Sequence, residues 1–166
     1  MRKSMLVALL ALAVPAAALA ADETPSPTEL AKAACKSEKA QMGAKTFKAA
    51  YAASSASNAA TACVAKRDGG AATDLKNAAK ACKAERAADP AAFTTKYGTN
   101  KNGKNAYGKC VSAKARGATE QTTAARVNAA KTCKKLKADQ KAAFETAYGT
   151  TKNAFGKCVS KTARAS

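Results

Sequence analysis

The residues of this 166-residue chain best suited to chemistry are its six cysteines. They fall into three pairs, Cys35 and Cys63, Cys82 and Cys110, Cys133 and Cys158, whose members lie 28, 28 and 25 residues apart. A thiol can ligate metal, attack an electrophile or pair with another thiol. A metal site of cysteines calls for close spacing such as Cys-x-x-Cys, or for histidine partners, and the sequence has neither. A nucleophilic thiolate calls for a neighbouring base, and with no His the usual one near neutral pH is missing. Pairing remains. Six cysteines allow fifteen pairings, but each pair here sits in one copy of a repeated unit. Closing every copy in the same way selects the within-unit bridges.

Other catalytic signals are weak. There is no Gly-x-Ser-x-Gly elbow, and the stretch from Gly98 to Gly103 lacks the Gly-Lys-Ser/Thr of a phosphate loop. Glu85 and Asp89, four apart on one expected helix, read as solvent-facing partners of Lys and Arg rather than as paired acids. The reading is therefore a non-enzyme with no cofactor and no metal.

The second chemistry is charge. Lys and Arg number 29 against 11 Asp and Glu, a formal +18. Such a field attracts nucleic acid, acidic cell-wall polymer, anionic headgroups or acidic polysaccharide. The best contact candidates are Lys101, Lys104, Lys109, Lys152 and Lys157, which recur around a polar loop and the start of each unit's last helix, where helix N-termini add positive potential. The same charge also serves to keep an alanine-rich helical surface in solution. Nucleic acid fits the charge but not an exported address, and Phe93, Tyr97, Tyr107, Phe144, Tyr148 and Phe155 read as core rather than as a base-stacking platform. Membrane attack would need a broad apolar helix face, which alanine with few leucines does not supply. Two readings stand: a charge-based binder of anionic cell-wall polymer or polysaccharide at the cell envelope, and a structural or protein-interaction spacer of the cell surface.

These residues need elements to position them. Residues 1–20 read as a secretory signal: Arg2 and Lys3, an apolar run from Met5 to Val14, then Ala18-Leu19-Ala20 before the cut. Loss of Arg2 and Lys3 takes the formal charge from +18 to +16. The run is too short for a bilayer, which needs about 20 residues, and nothing later is apolar enough to span. Residues 21–29 read as a flexible leader. Three helical units follow, over 30–70, 71–117 and 118–166. The first is expected to end in a turn at Asp68-Gly69-Gly70, and the short junctions imply units that pack together or share nearly continuous helices.

Within each unit, alanine and lysine favour helix, and the apolar positions recur at helical spacing, as in Leu75, Ala78, Ala79 and Cys82. Thr73 or Asp74 is expected to cap the first helix of unit two, and Asp89-Pro90 to open a short second helix. That helix carries Phe and Tyr four apart (Phe47/Tyr51, Phe93/Tyr97, Phe144/Tyr148), on one face and able to cover the bridge. Gly98 and Gly149 suit a left-handed helix end. Asn105 and Asn153 are expected to cap the last helix, and Lys66/Arg67, Lys114/Arg116 and Lys161/Arg164 to sit at its negative end. The fold expectation is all-α: three tandem disulfide-closed units, each a hairpin or three helices.

The hydrophobic fraction of 47% is mostly alanine, 47 residues of it. After residue 20 only sixteen Val, Leu, Met, Phe and Tyr remain. Cores this small need staples, and closing a loop of this length stabilises by about 3.5 kcal/mol in the chain-entropy model. The string Asn-Ala-(Tyr/Phe)-Gly-Lys-Cys-Val-Ser, at residues 105–112 and 153–160, resembles a Cys-paired helical repeat of uncharacterised secreted bacterial proteins. The resemblance covers units two and three well and unit one partly. It implies export and modularity, and no activity.

Overall fold

The computed structural model describes residues 24–165; the signal sequence expected over 1–20 lies outside them. The chain is all-α, as expected: α1 (Pro27–Met42), α2 (Ala44–Ala50), α3 (Ala56–Ala88), α4 (Pro90–Tyr97), α5 (Ala106–Asp139), α6 (Lys141–Tyr148) and α7 (Ala154–Arg164). The leader expected over 21–29 gives way to helix at Pro27. Ser26 and Glu29 form a reciprocal capping box, in which the Ser26 hydroxyl accepts from the Glu29 amide at 3.2 Å and the Glu29 carboxylate accepts from the Ser26 amide at 2.7 Å. Asp89 caps α4 through the Ala92 amide at 2.9 Å, with Pro90 at the first helical position.

All three within-unit disulfides form, with Cα–Cα distances of 5.9, 6.0 and 6.0 Å. Cys35–Cys63 ties α1 to α3, Cys82–Cys110 ties α3 to α5, and Cys133–Cys158 ties α5 to α7. Each bridge thus joins the first and last helices of one unit. The units are not separate beads, however. The last helix of unit one and the first of unit two are a single helix, the 33-residue α3; units two and three share the 34-residue α5 in the same way.

The turn expected at Asp68-Gly69-Gly70 is therefore absent, because these residues lie mid-α3, as Gly117 lies mid-α5. Glycine costs a helix about 1 kcal/mol relative to alanine, which a long run of alanine-rich sequence on either side absorbs. A Cβ added at Gly69, Gly70 or Gly117 would meet nothing within 4 Å, so packing does not demand glycine there. Thr73 and Asp74 do not cap a helix: Thr73 bonds back to the Gly69 carbonyl at 3.0 Å, and Asp74 accepts from Thr119 across to α5 at 3.1 Å. Lys66, Arg67, Lys114 and Arg116 likewise sit inside helices rather than at their ends.

With α3 and α5 packed side by side and joined through α4, the two outer units meet at the same end of the bundle. One core gathers Cys35, Phe47, Tyr51 and Cys63 of unit one with Cys133, Phe144, Phe155 and Val159 of unit three. The other is that of unit two, around Cys82, Phe93, Cys110 and Val111, with Leu30 and Ala31 of α1 added. The Phe/Tyr pairs pack ring to ring at 4.9, 4.9 and 5.2 Å. In α7, a Cβ on Gly156 would lie 2.8 Å from the Ala50 carbonyl oxygen, so glycine lets α7 approach the end of α2.

Of the two glycines expected to end a helix with positive φ, only one does so. Gly149 takes φ 85°, but Gly98 has φ −71° and is not left-handed. It is glycine for space: a Cβ would lie 2.6 Å from the Thr94 carbonyl oxygen. Unit one carries alanine there, and Ala52 adopts φ 52°. Its amide bonds to the Ala49 carbonyl and that of Ala53 to the Lys48 carbonyl, the paired bonds of a Schellman ending with alanine in the glycine position.

Candidate functional site

Aligning the three units on their cysteines exposes a repeated polar pattern. Three residues after the first Cys stand Glu38, Glu85 and Leu136; four residues after the second stand Arg67, Lys114 and Thr162. Together with the tyrosine of the short helix, these positions form a lock with a different fate in each copy.

In unit one the lock is buried. The Glu38 carboxylate is fully buried and accepts from the Tyr51 hydroxyl at 2.5 Å, from the Arg67 guanidinium, and from Arg126 Nε of unit three at 3.4 Å. Arg67 also donates to the Thr119 carbonyl and the Thr123 hydroxyl, both at 3.2 Å on α5. Arg126 lies over the Tyr51 ring at 5.1 Å. Burial, and then the Glu38 charge, push the Tyr51 hydroxyl well above its ordinary value. One carboxylate so ties α1, α2, α3 and α5 together and fixes unit one against unit three.

In unit two the same lock lies at the surface. Glu85 accepts from Lys96 at 2.7 Å, Lys114 at 3.1 Å and the Tyr97 hydroxyl at 3.1 Å. Those bonds, from Lys96 first and Lys114 next, hold its carboxyl at about 2, below the ordinary 4.5. Its partners are thus Lys and Tyr, while Asp89 serves as a helix cap. In unit three the lock is gone. Leu136 replaces the carboxylate, and the Thr162 hydroxyl rests against both bridge sulfurs, at 3.7 and 4.0 Å. The Tyr148 hydroxyl has no partner among the described residues.

Between units one and three runs a groove of about 840 Å³. Lys66 of α3 faces Lys157, Lys161 and Arg164, which follow one another along α7 at helical spacing. No carboxylate lines it among the described residues. Lys66 and Lys161 occupy the same position in their units, three after the second Cys, and each ammonium sits over its unit's tyrosine, 5.8 Å from Tyr51 and 5.9 Å from Tyr148. Unit two has Ala113 in that place. Four cations on concave walls, with no counter-charge among the described residues, concentrate positive potential where a ligand would enter.

The five lysines singled out by recurrence do not gather. Lys157 lines the groove, and Lys152 is exposed on the turn before α7. Lys101 and Lys104 are exposed on the α4–α5 connection, and Lys109 is half-buried in the first turn of α5. Lys109 and the Cys133 that holds α7 are 24 residues apart on α5, about 36 Å at 1.5 Å per residue. The recurring lysines thus divide between the two ends of the bundle. Lys161 and Arg164 do sit in the last turn of α7, as read from sequence, and also line the groove, whereas Lys66 lies mid-α3 and joins them there. The usable signal was that Lys66 and Lys161 match one another by position while unit two lacks the residue.

The capping expected of the two asparagines also fails. Neither Asn105 nor Asn153 makes a side-chain cap bond. The Asn105 side chain instead bonds the Thr99 amide at 3.1 Å and hydroxyl at 2.7 Å. That of Asn153 has no protein partner among the described residues and lines the groove. No family model, curated protein or solved structure matches the chain.

Two outcomes follow from the locks. Glu38→Gln leaves two guanidinium groups without their shared counter-charge and should destabilise the protein by about 3 kcal/mol in urea unfolding; a loss below about 1 kcal/mol would show that the buried lock does not hold the units together. Glu85 binds its proton less readily folded than unfolded, so its contribution is present above pH 4.5 and is lost as pH falls toward 2. The melting temperature of the wild type should exceed that of Glu85→Gln at pH 6, with the gap closing by pH 2; a gap constant with pH contradicts the assignment.

Proposed function

We propose that this protein is a non-catalytic, exported binder of an anionic polymer or surface at the cell envelope, held mainly by charge. The carrying observation is the groove between units one and three, with four cations and no acid on its walls among the described residues. The surrounding field has the same sign, since the formal charge of the whole chain is +18. Three disulfides suit an oxidising compartment, and among the described residues no helix is long and apolar enough to cross a membrane. The signal-like residues 1–20 supply the route. Lys101, Lys104 and Lys109 at the far end, with Lys152 near the groove, add general attraction.

A second reading, a structural or protein-interaction spacer of the cell surface, draws on α3 and α5, which at 33 and 34 residues span about 50 Å each. Salt separates the two, because screened attraction weakens with ionic strength while packed protein contacts do not. Retention of residues 21–166 on immobilised heparin should be strong at low salt and fall as salt rises. Replacing Lys66, Lys157, Lys161 and Arg164 by Gln should weaken it roughly tenfold, equivalent to about 1.4 kcal/mol, and more than replacing Lys101 and Lys104 does. No retention at low salt, or retention unchanged in the four-residue variant, rejects the groove. Recovery of one protein partner despite high salt favours the spacer.

A further inference from the structure

We infer that the groove takes a segment of an acidic polysaccharide, a sugar chain bearing carboxylates, rather than a bare phosphate polymer or a nucleic acid. The inference rests on the polyanion reading and adds to it the neutral chemistry of the walls. Besides its four cations and Tyr51, whose hydroxyl is spent on Glu38, the groove is lined by three uncharged polar side chains, those of Tyr148, Asn153 and Ser160, whose polar groups have no protein partner among the described residues.

Two of these are released by identifiable departures from the other repeats. Tyr51 and Tyr97 both donate their hydroxyls to a glutamate, and Leu136 removes that glutamate in unit three. Asn105 spends its amide on Thr99, whereas Asn153, its counterpart, neither caps α7 nor bonds a loop. Phosphate oxygens take hydrogen bonds from hydroxyls and amides but donate none, so they leave the acceptor sites of the Asn153 carbonyl and the two hydroxyls unused. The three side chains match a ligand carrying neutral hydroxyls between its anionic groups.

Size and stacking point the same way. About 840 Å³ holds a drug-sized molecule or a short oligosaccharide, not a single small anion. Bases of a nucleic acid would want open aromatic faces. Tyr51 is 4% exposed, and the Tyr148 ring packs against Phe144 at 5.2 Å and lies under the Lys161 ammonium at 5.9 Å. Arg164 spends Nε on the Ser160 carbonyl at 3.1 Å, which holds its guanidinium along α7 at the groove. The remaining nitrogens of such a fork can hold a carboxylate, as they could a phosphate, so Arg164 supplies charge and the neutral groups supply the choice between the two.

The test titrates residues 21–166 with tetragalacturonate, a polyphosphate of equal charge and an oligothymidylate of equal charge, at one ionic strength by calorimetry. Tetragalacturonate should bind tightest. The combined variant Tyr148→Phe, Asn153→Ala and Ser160→Ala, checked for unchanged helicity and melting temperature, should lose about fivefold in affinity for tetragalacturonate, and clearly less for polyphosphate. Equal affinity for the three wild-type ligands, or equal loss for both polymers in the variant, overturns the inference while leaving charge-based binding intact. The wild-type ranking decides by itself if the variant is unstable. Failure of all three ligands to bind overturns the polyanion reading as well.

Discussion

Helix sharing is the constraint from which the rest of the structure follows. Each copied unit ends in a helix that is also the first helix of the next, so neither copy can turn independently of its neighbour. Disulfides at both ends of α3 and of α5 bind each long helix to two partners. With α3 and α5 packed together, units one and three are delivered to the same place. Alanine, the commonest buried residue among the described ones, lets these helices come close but buries little surface. Covalent ties and one buried ionic cluster do the work that large side chains do elsewhere.

The copies have diverged around one polar device. A glutamate, a tyrosine and a basic residue meet in units one and two, buried in the first and at the surface in the second. Unit one adds Arg126 of unit three to the cluster, which turns an internal brace into a joint between units. A buried ion pair is not by itself a stabiliser, because desolvation offsets much of the attraction. Its role here is geometric, since the Glu38 carboxylate accepts three donors at once only when α1, α2, α3 and α5 take this arrangement. Unit three has given up the device, and Tyr148, the side chain so released, lines the groove.

Much of this was legible in the sequence. The disulfide pairing, the helical class, the Asp89-Pro90 start of α4 and the inward-facing Phe/Tyr pairs all follow from spacing and local chemistry. The misreadings have one common cause, that local signals do not know what the chain packs against. Asp68-Gly69-Gly70 looks like a turn, but long helical neighbours and contact with α5 carry the helix through it. Asn105 and Asn153 look like caps, yet a loop partner claims one and the other is left facing the groove. Lys161 and Arg164 do lie in the last turn of α7, whereas Lys66 lies far from the end of α3. Their meeting depends on units one and three packing together, which no spacing within a unit reveals. Glu38 gave no sign of burial, because its partners stand 13, 29 and 88 residues away.

The joint between the first and third repeats is open to direct measurement with the native lysines. Treating dilute protein with a short amine-reactive cross-linker and mapping the linked peptides by mass spectrometry reports which ammonium groups are neighbours. Cross-links from Lys66 to Lys157 or Lys161 within one chain are the outcome expected of two repeats held face to face by Glu38. Their absence, with links inside each repeat forming normally, would contradict the shared core and the groove together.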